Sequence, residues 1–334
     1  MICAPRLWQM PMVQSTETLP AADGVPLFVY TWTPSDHSAS PRGIVQIVHG
    51  MSEHAGRYVR FASALVEGGF AVIAHDHRGH GRTANAPEDL GHFADDGGWI
   101  AALGDVELVG RHARKRWPGC VLVRFGHSLG STLTVHALHA FPGSVDAAIL
   151  SGAIGVVGMM LPLAKVVPRA ECFRQGKRGK SWLCDYLTFG DFNRAFRPPR
   201  TRFDWLSKDA QEVDAYINDP RCGFMVTNQF WCDALGGLSE AYKTANLARI
   251  PKDLPIRFII GANDPVSKHK LTGASQLPPA LSRLRAVGMS SVSERVWAEG
   301  RHELLNDTEK EQVTDDVIQW LHLHCSAKNG AMQA

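Results

Sequence analysis

Gly126-His127-Ser128-Leu129-Gly130 sets a serine between two glycines, with the apolar run CVLVRF (120–125) before it and the helix-patterned run SLGSTLTVHALHA after it. That order describes a sharp strand-to-helix turn, with flanking glycines removing the side chains that would clash there. The serine hydroxyl then stands clear of the strand end, above the positive end of a helix. A hydroxyl is too weakly acidic to attack an acyl carbon unaided. It needs a histidine base and a carboxylate to orient that base. Asp264 follows the run IRFIIG, and His302 follows SVSERVWAEG, so the chain order is Ser, Asp, His,. Both lie just past a strand, on the same sheet edge as Ser128. Asp253 instead precedes its strand, and His269 follows Asp264 too closely to return from another one. His322 and His324 ride on a final amphipathic run, VIQWLHLHC.

A tetrahedral intermediate also needs backbone N–H donors for its oxyanion. Leu129, directly after the serine, supplies one. Met51, after the run GIVQIVHG (43–50), is the expected second, because His49-Gly50 lets the backbone come close to the acyl oxygen. The polar run Ser52-Glu53-His54-Ala55-Gly56-Arg57-Tyr58 reads as a brace of this loop, Glu53 and His54 included rather than as catalytic groups. The polar run His75-Asp76-His77-Arg78-Gly79-His80-Gly81-Arg82 has the composition of a metal or phosphate site but no ligand spacing, so it reads as a hydrogen-bonded loop beside the site,.

The elements that must position these groups recur along the chain. GIVQIVHG (43–50), FAVIAHD (70–76), CVLVRFGHS (120–128), AAILSG (147–152), IRFIIGAND (256–264) and SVSERVWAEG (291–300) read as strands. Their continuous apolar character suits strands covered on both faces. YVRFASALVEGG and SLGSTLTVHALHAF have helical spacing, which implies a mostly parallel, doubly covered sheet. LFVYTWTP (27–34) adds an antiparallel strand at one end. The alternation stops between Gly152 and Ile250, where DAQEVDAYI and FMVTNQFWCDALGGL are helical patches. A structureless loop of that size is implausible, so 153–250 is expected to be a helical insertion in a core formed by 1–152 and 251–334.

Composition narrows the function classes. The 334 residues are 45% hydrophobic and 20% charged, with a net charge of +2, which gives no reason to expect nucleic acid,. No metal or cofactor site is expected. Seven scattered cysteines without C-x-x-C read as free thiols in a reducing, cytoplasmic setting, and the N-terminus lacks a secretory pattern,. Ala147–Ala164 holds eighteen uncharged residues, but its glycines and Pro162 argue for strand, loop and helix rather than a membrane span,. From Lys165 to Arg202, ten Lys or Arg face three Asp or Glu, a local basic excess that permits peripheral contact with anionic interfaces,.

HGMSEHAGRY, DHRGHGRT, GHSLGS, ANDPVS and GRHELLND together resemble the monoacylglycerol lipase and lysophospholipase branch of the α/β-hydrolases, a group also labelled serine aminopeptidase-like. These blocks run from His49 to Asp307. The resemblance implies a mostly parallel eight-stranded sheet covered by helices on both faces, and a helical cap inserted after the sixth strand. It implies Ser128, Asp264 and His302 as the triad, with the Met51 and Leu129 amides as oxyanion donors. The expected substrate is a small ester or lipid, cleaved through an acyl-enzyme. GVVGMMLPLAKVV either lines an acyl tunnel or packs the cap on the core. Lysophospholipase, aminopeptidase, acyltransferase and non-catalytic receptor readings stay open, since fold alone does not decide among them.

Overall fold

A computed structural model describes residues 12–35, 40–153, 164–268 and 273–331, with side chains to Cys325. Eight strands form one sheet: β1 (Met12–Pro20), β2 (Pro26–Pro34), β3 (Ile44–Val48), β4 (Ala71–His75), β5 (Leu122–His127), β6 (Ala147–Ser151), β7 (Ile256–Gly261) and β8 (Val292–Trp297). Their order is β1-β2-β4-β3-β5-β6-β7-β8. β1 with β2 and β2 with β4 are antiparallel, and every later pair is parallel.

Strand periodicity explains the double covering. Ile44, Ile73, Leu122 and Ile256 face one cluster, while Val45, Val72, Val123 and Ile259 face the other. On the first side lie α2 (Gly98–Arg116), α3 (Leu129–Ala140) and α9 (Leu277–Ala286); on the second lie α1 (Val59–Glu67) and α10 (Lys310–Ala331). Because both faces of each central strand are dry, apolar residues occupy nearly every position.

β1 was not anticipated. Its burial pattern is mostly exposed, so MVQSTETLP shows no apolar face. It is held by its ladder with β2, from Met12 opposite Pro34 to Pro20 opposite Pro26.

Between β6 and β7 the chain forms α4 (Val166–Gln175), α5 (Trp182–Phe189), α6 (Ala210–Asn218), α7 (Asn228–Ala241) and the short α8 (Thr244–Leu247). α6 coincides with DAQEVDAYI. α7 begins later than the run FMVTNQF suggests, because the Thr227 hydroxyl accepts the Phe230 N–H and caps the helix there,. Most of GVVGMMLPLAKVV, and His269, lie outside the described residues. Among the described residues no helix is long and apolar enough to cross a membrane.

β3 sits where the strand order reverses, with β4 on one side and β5 on the other. In open parallel sheets the crevice at the carboxyl ends of such strands is where ligands bind.

Candidate active site

Four segments meet at that edge: the chain after β3, β5, β7 and β8. Ser128 follows β5 directly and starts α3, with φ 52° and ψ −118°. A non-glycine residue at positive φ costs about 1–3 kcal/mol and persists only where its surroundings enforce it. Here the Ser128 N–H donates to the Ser151 carbonyl at 2.9 Å, and the Ser131 hydroxyl donates to the Ser128 carbonyl at 2.6 Å. The glycines make room for the turn. A Cβ on Gly130 would run into the Val48 and His49 carbonyls, and one on Gly126 into the Gly130 carbonyl.

His302 Nε2 lies 2.9 Å from Ser128 Oγ, and its Nδ1 lies 3.0 Å from Asp264 Oδ2. With Asp264 accepting at Nδ1–H, Nε2 is left to take the serine proton. The other Asp264 oxygen accepts the Val266 N–H at 2.8 Å, which fixes the carboxylate. His302 is 2% exposed and Asp264 0%. Burial alone would push the His302 pKa down, yet the charge and hydrogen bond of Asp264, helped by Glu303 and Glu53, raise it above its ordinary value,. The ring lies between His127, at 4.8 Å between centroids, and Trp205, at 5.1 Å. Burial lowers the His127 pKa to about 3, so that ring stays neutral beside the base.

The segment after β3 is built around Gly50. A Cβ there would lie 2.7 Å from Glu53 Oε1 and 3.3 Å from Ser128 Cβ, so a side chain would crowd both. The His77 N–H donates to His49 Nε2 at 2.9 Å, which leaves the proton on Nδ1; that Nδ1–H donates to the Gly50 carbonyl at 2.8 Å. A planar trans peptide holds C=O and N–H antiparallel, so this bond aims the Met51 N–H away from His49. Among the described residues neither the Met51 nor the Leu129 N–H has an acceptor, as two oxyanion donors require.

Glu53 is more than a loop brace. Its Oε1 accepts the Gly50 N–H at 2.6 Å and the Tyr58 hydroxyl at 3.0 Å, while Arg57 donates to its Oε2 at 2.8 Å. Arg57 also forks onto both oxygens of Glu303 at 2.8 and 2.7 Å. One buried guanidinium thus joins the segment after β3 to the residue next to His302. Burial works to raise the Glu303 pKa, but Arg57 outweighs it and holds the carboxyl down to about 2. Glu53, buried and facing that second negative charge, is pushed up instead. Arg57 does brace the loop, as its place in the polar run 52–58 suggested, but its second partner Glu303 was missed in the sequence; the acid beside His302 was the available signal.

The run from His75 to Arg82 is a hydrogen-bonded loop. Asp76 accepts the Ala55 N–H at 2.8 Å and the Arg82 N–H at 2.7 Å, and Arg78 pairs with Asp105 at 2.8 Å. His54, Asp219 and Cys222 present metal-ligand atoms within 4.8 Å of one another, but His54 and Asp219 already satisfy each other at 2.8 Å. Asp253 is exposed before β7, and His322 packs on Phe70, both away from Ser128.

The chain is similar to known lipases and esterases. The monoacylglycerol lipase of Mycolicibacterium smegmatis is 28% identical over 326 residues, covering 94% of this chain and all (100%) of that protein. The human monoglyceride lipase is 29% identical over 238 residues, 69% of this chain and 68% of its own. A thermostable carboxyl esterase from Bacillus coagulans superposes with a TM-score of 0.83 at 24% identity, covering 94% of this chain and 100% of the esterase. The model of the serine aminopeptidase S33 family matches residues 39–309. The chain belongs to that family, within the monoacylglycerol lipase-like branch of the α/β-hydrolases.

Proposed function

We propose that the protein hydrolyses carboxylic esters of small lipid-like substrates, monoacylglycerols foremost, through an acyl-enzyme on Ser128. The observation that carries the reading is the Ser128–His302–Asp264 relay at 2.9 and 3.0 Å on a strained turn. His302 takes the Ser128 proton as Oγ attacks the acyl carbon, and the Met51 and Leu129 N–H groups receive the oxyanion. The imidazolium, favoured by the Asp264 carboxylate, then protonates the departing alcohol. Water repeats the sequence to release the acid. The helices between β6 and β7 act as the cap that selects the acyl group, and Trp205 brings that cap against His302. Glycerol monoesters fit the lipase relatives. Ser128→Ala should abolish turnover of both p-nitrophenyl butyrate and monoacylglycerol; retained turnover would overturn the assignment.

An aminopeptidase reading needs free acids to hold the substrate's amine. Five cap acids are engaged: Asp204 with the Arg200 and Thr201 N–H groups, Asp209 and Glu212 with Lys310, Asp214 with Arg200, and Asp219 with His54. Asp233, with one oxygen unpartnered among the described residues, is half-buried on α7 beside Gly98. That favours esters over N-terminal amides.

Lipid substrates also bear on location. We infer peripheral docking through α4 and α5, where Phe173 is 96% and Trp182 67% exposed, with Val166, Tyr186 and Leu187 beside them. An apolar face within a basic stretch fits an anionic lipid surface, although Lys177 and Arg178 are partly neutralised by Asp96 and Asp89,. Equal sedimentation with neutral and anionic vesicles by the wild type and a Phe173→Glu/Trp182→Glu variant would remove the idea. The six cysteines among the described residues are unbridged, which supports a cytoplasmic setting,.

A further inference from the structure

α4 and α7 lie side by side in the cap, and at their contact Cys172 Sγ stands 3.9 Å from Cys232 Sγ. The remaining described thiols are engaged or placed differently. Cys120 donates to the Pro41 carbonyl, Cys184 is buried at the start of α5, Cys222 is buried beside Arg57, and Cys325 is buried on α10. Cys172 and Cys232 are both partly accessible, so a small oxidant can reach them. A disulfide closes at about 2.05 Å, and side-chain torsions on two neighbouring helices are the natural way to cover the difference. We propose that Cys172 and Cys232 form a modification site, a dithiol that oxidises reversibly to a disulfide joining α4 to α7.

The oxidant class is a low-molecular-weight disulfide, with glutathione disulfide as the probe. The Cys172 thiolate attacks one sulfur of the probe; its S–S bond breaks and one glutathione leaves as thiolate and takes up a proton. Cys232 then loses its proton and attacks Cys172 Sγ in the mixed disulfide, releasing the second glutathione. Two protein thiols are oxidised by two electrons and one glutathione disulfide is reduced. The order follows from the environment. Burial, and a hydrogen bond to Cys172, push the Cys232 thiol up to about 12, so it serves as the S–H donor to the first thiolate. The bridge encloses residues 172–232, a long loop whose closure restricts the unfolded chain.

The test uses the full chain, incubated with glutathione disulfide, quenched with N-ethylmaleimide and digested without reduction. The expected product links peptide Ala170–Arg174 to peptide Cys222–Lys243, with fragmentation placing the bond at Cys232 rather than Cys222. Dithiothreitol should reverse it. The oxidised wild type should melt several degrees higher than the reduced protein, whereas Cys172→Ser and Cys232→Ser should show no such rise. Cys232→Ser should instead retain glutathione on Cys172. A link from Cys172 to Cys184 or Cys222, glutathione retained on both cysteines, or both thiols left unmodified would overturn the proposal. The wild-type peptide map decides this even if a variant folds poorly.

Discussion

Arg57→Met tests the buried network most directly. The substitution keeps an apolar stem and removes three short hydrogen bonds, one to Glu53 and two to Glu303. The Arg57 side chain is 12% exposed and the carboxylates 4% and 7%, so water cannot take its place. Breaking a buried ion pair by removing one partner costs about 3–5 kcal/mol, and here two acids lose the same cation. The protein can relieve that cost only by protonating them. In the wild type Glu303 is held down to about 2, so its contribution is present above the unfolded value of about 4.3 and is lost as pH falls toward 2. In Arg57→Met, burial and mutual repulsion raise the carboxyl pKa above that unfolded value. Stability is then lost as pH rises from about 4.3 through the raised pKa. For Glu303 the two trends have opposite sign, and Glu53, already pushed up in the wild type against the pull of Arg57, rises further without it, so the gap between the proteins widens with pH.

The assay is urea unfolding of both proteins at about pH 5 and about pH 8, with a gap of about 3–5 kcal/mol expected at the higher pH. Turnover should fall as well, because Glu53 holds the Gly50 N–H and Glu303 adjoins His302. Loss of one oxyanion donor costs about 10²–10³ in kcat, which is the upper bound here. Arg57→Lys keeps the charge without the fork and should lie between. A gap below about 1 kcal/mol at about pH 8, or one that does not change with pH, would refute the reasoning.

Other substitutions probe separate parts of the molecule. Asp264→Asn should lower kcat by about 10⁴ and move the acidic limb of the kcat/KM profile down, because the Asp264 charge is what raises the His302 pKa; an unmoved limb would show that another group sets it. Gly130→Ala should give little folded, active protein, since its Cβ meets the Val48 and His49 carbonyls; normal yield and turnover would contradict that. Both ring nitrogens of buried His75 lack partners among the described residues, and burial lowers its pKa to about 3. Its folded pKa is below the unfolded one, so stability present above about 6.5 is lost as pH falls from there toward about 3,. His75→Leu should therefore hold or raise the melting temperature and flatten its fall on acidification, and a steeper fall would count against this reading.

Seven of the eight strands were legible: β3 to β7 are buried and read as apolar runs, while β2 and the half-exposed edge strand β8 are marked by β-branched and aromatic residues. β1 was not, because an exposed edge strand carries its stability in ladder hydrogen bonds to β2 rather than in a side-chain pattern. The cap acids show a related limit. Asp209, Glu212 and Asp214 fall in the helical patch DAQEVDAYI, where nothing in the spacing names a partner, yet Lys310, Arg60 and Arg200 reach them from other parts of the chain. Nothing local distinguishes an acid bound by water from one bound by a distant cation.

The same distinction separates the relay from what holds it. Ser128, Asp264 and His302 each sit within a few residues of a strand end, so local patterns sufficed to single out three side chains that the fold brings within hydrogen-bond reach. Arg57 and Glu303 are 246 residues apart, and neither has a local pattern that names the other. His49 is an intermediate case: its place at the strand end was readable, but its proton position depends on accepting the His77 N–H across β3 and β4. The residues that do chemistry must be presented by regular elements and therefore leave periodic traces. The residues that keep Gly50 and His302 in register act by closing distances between elements, and only the assembled sheet brings them together.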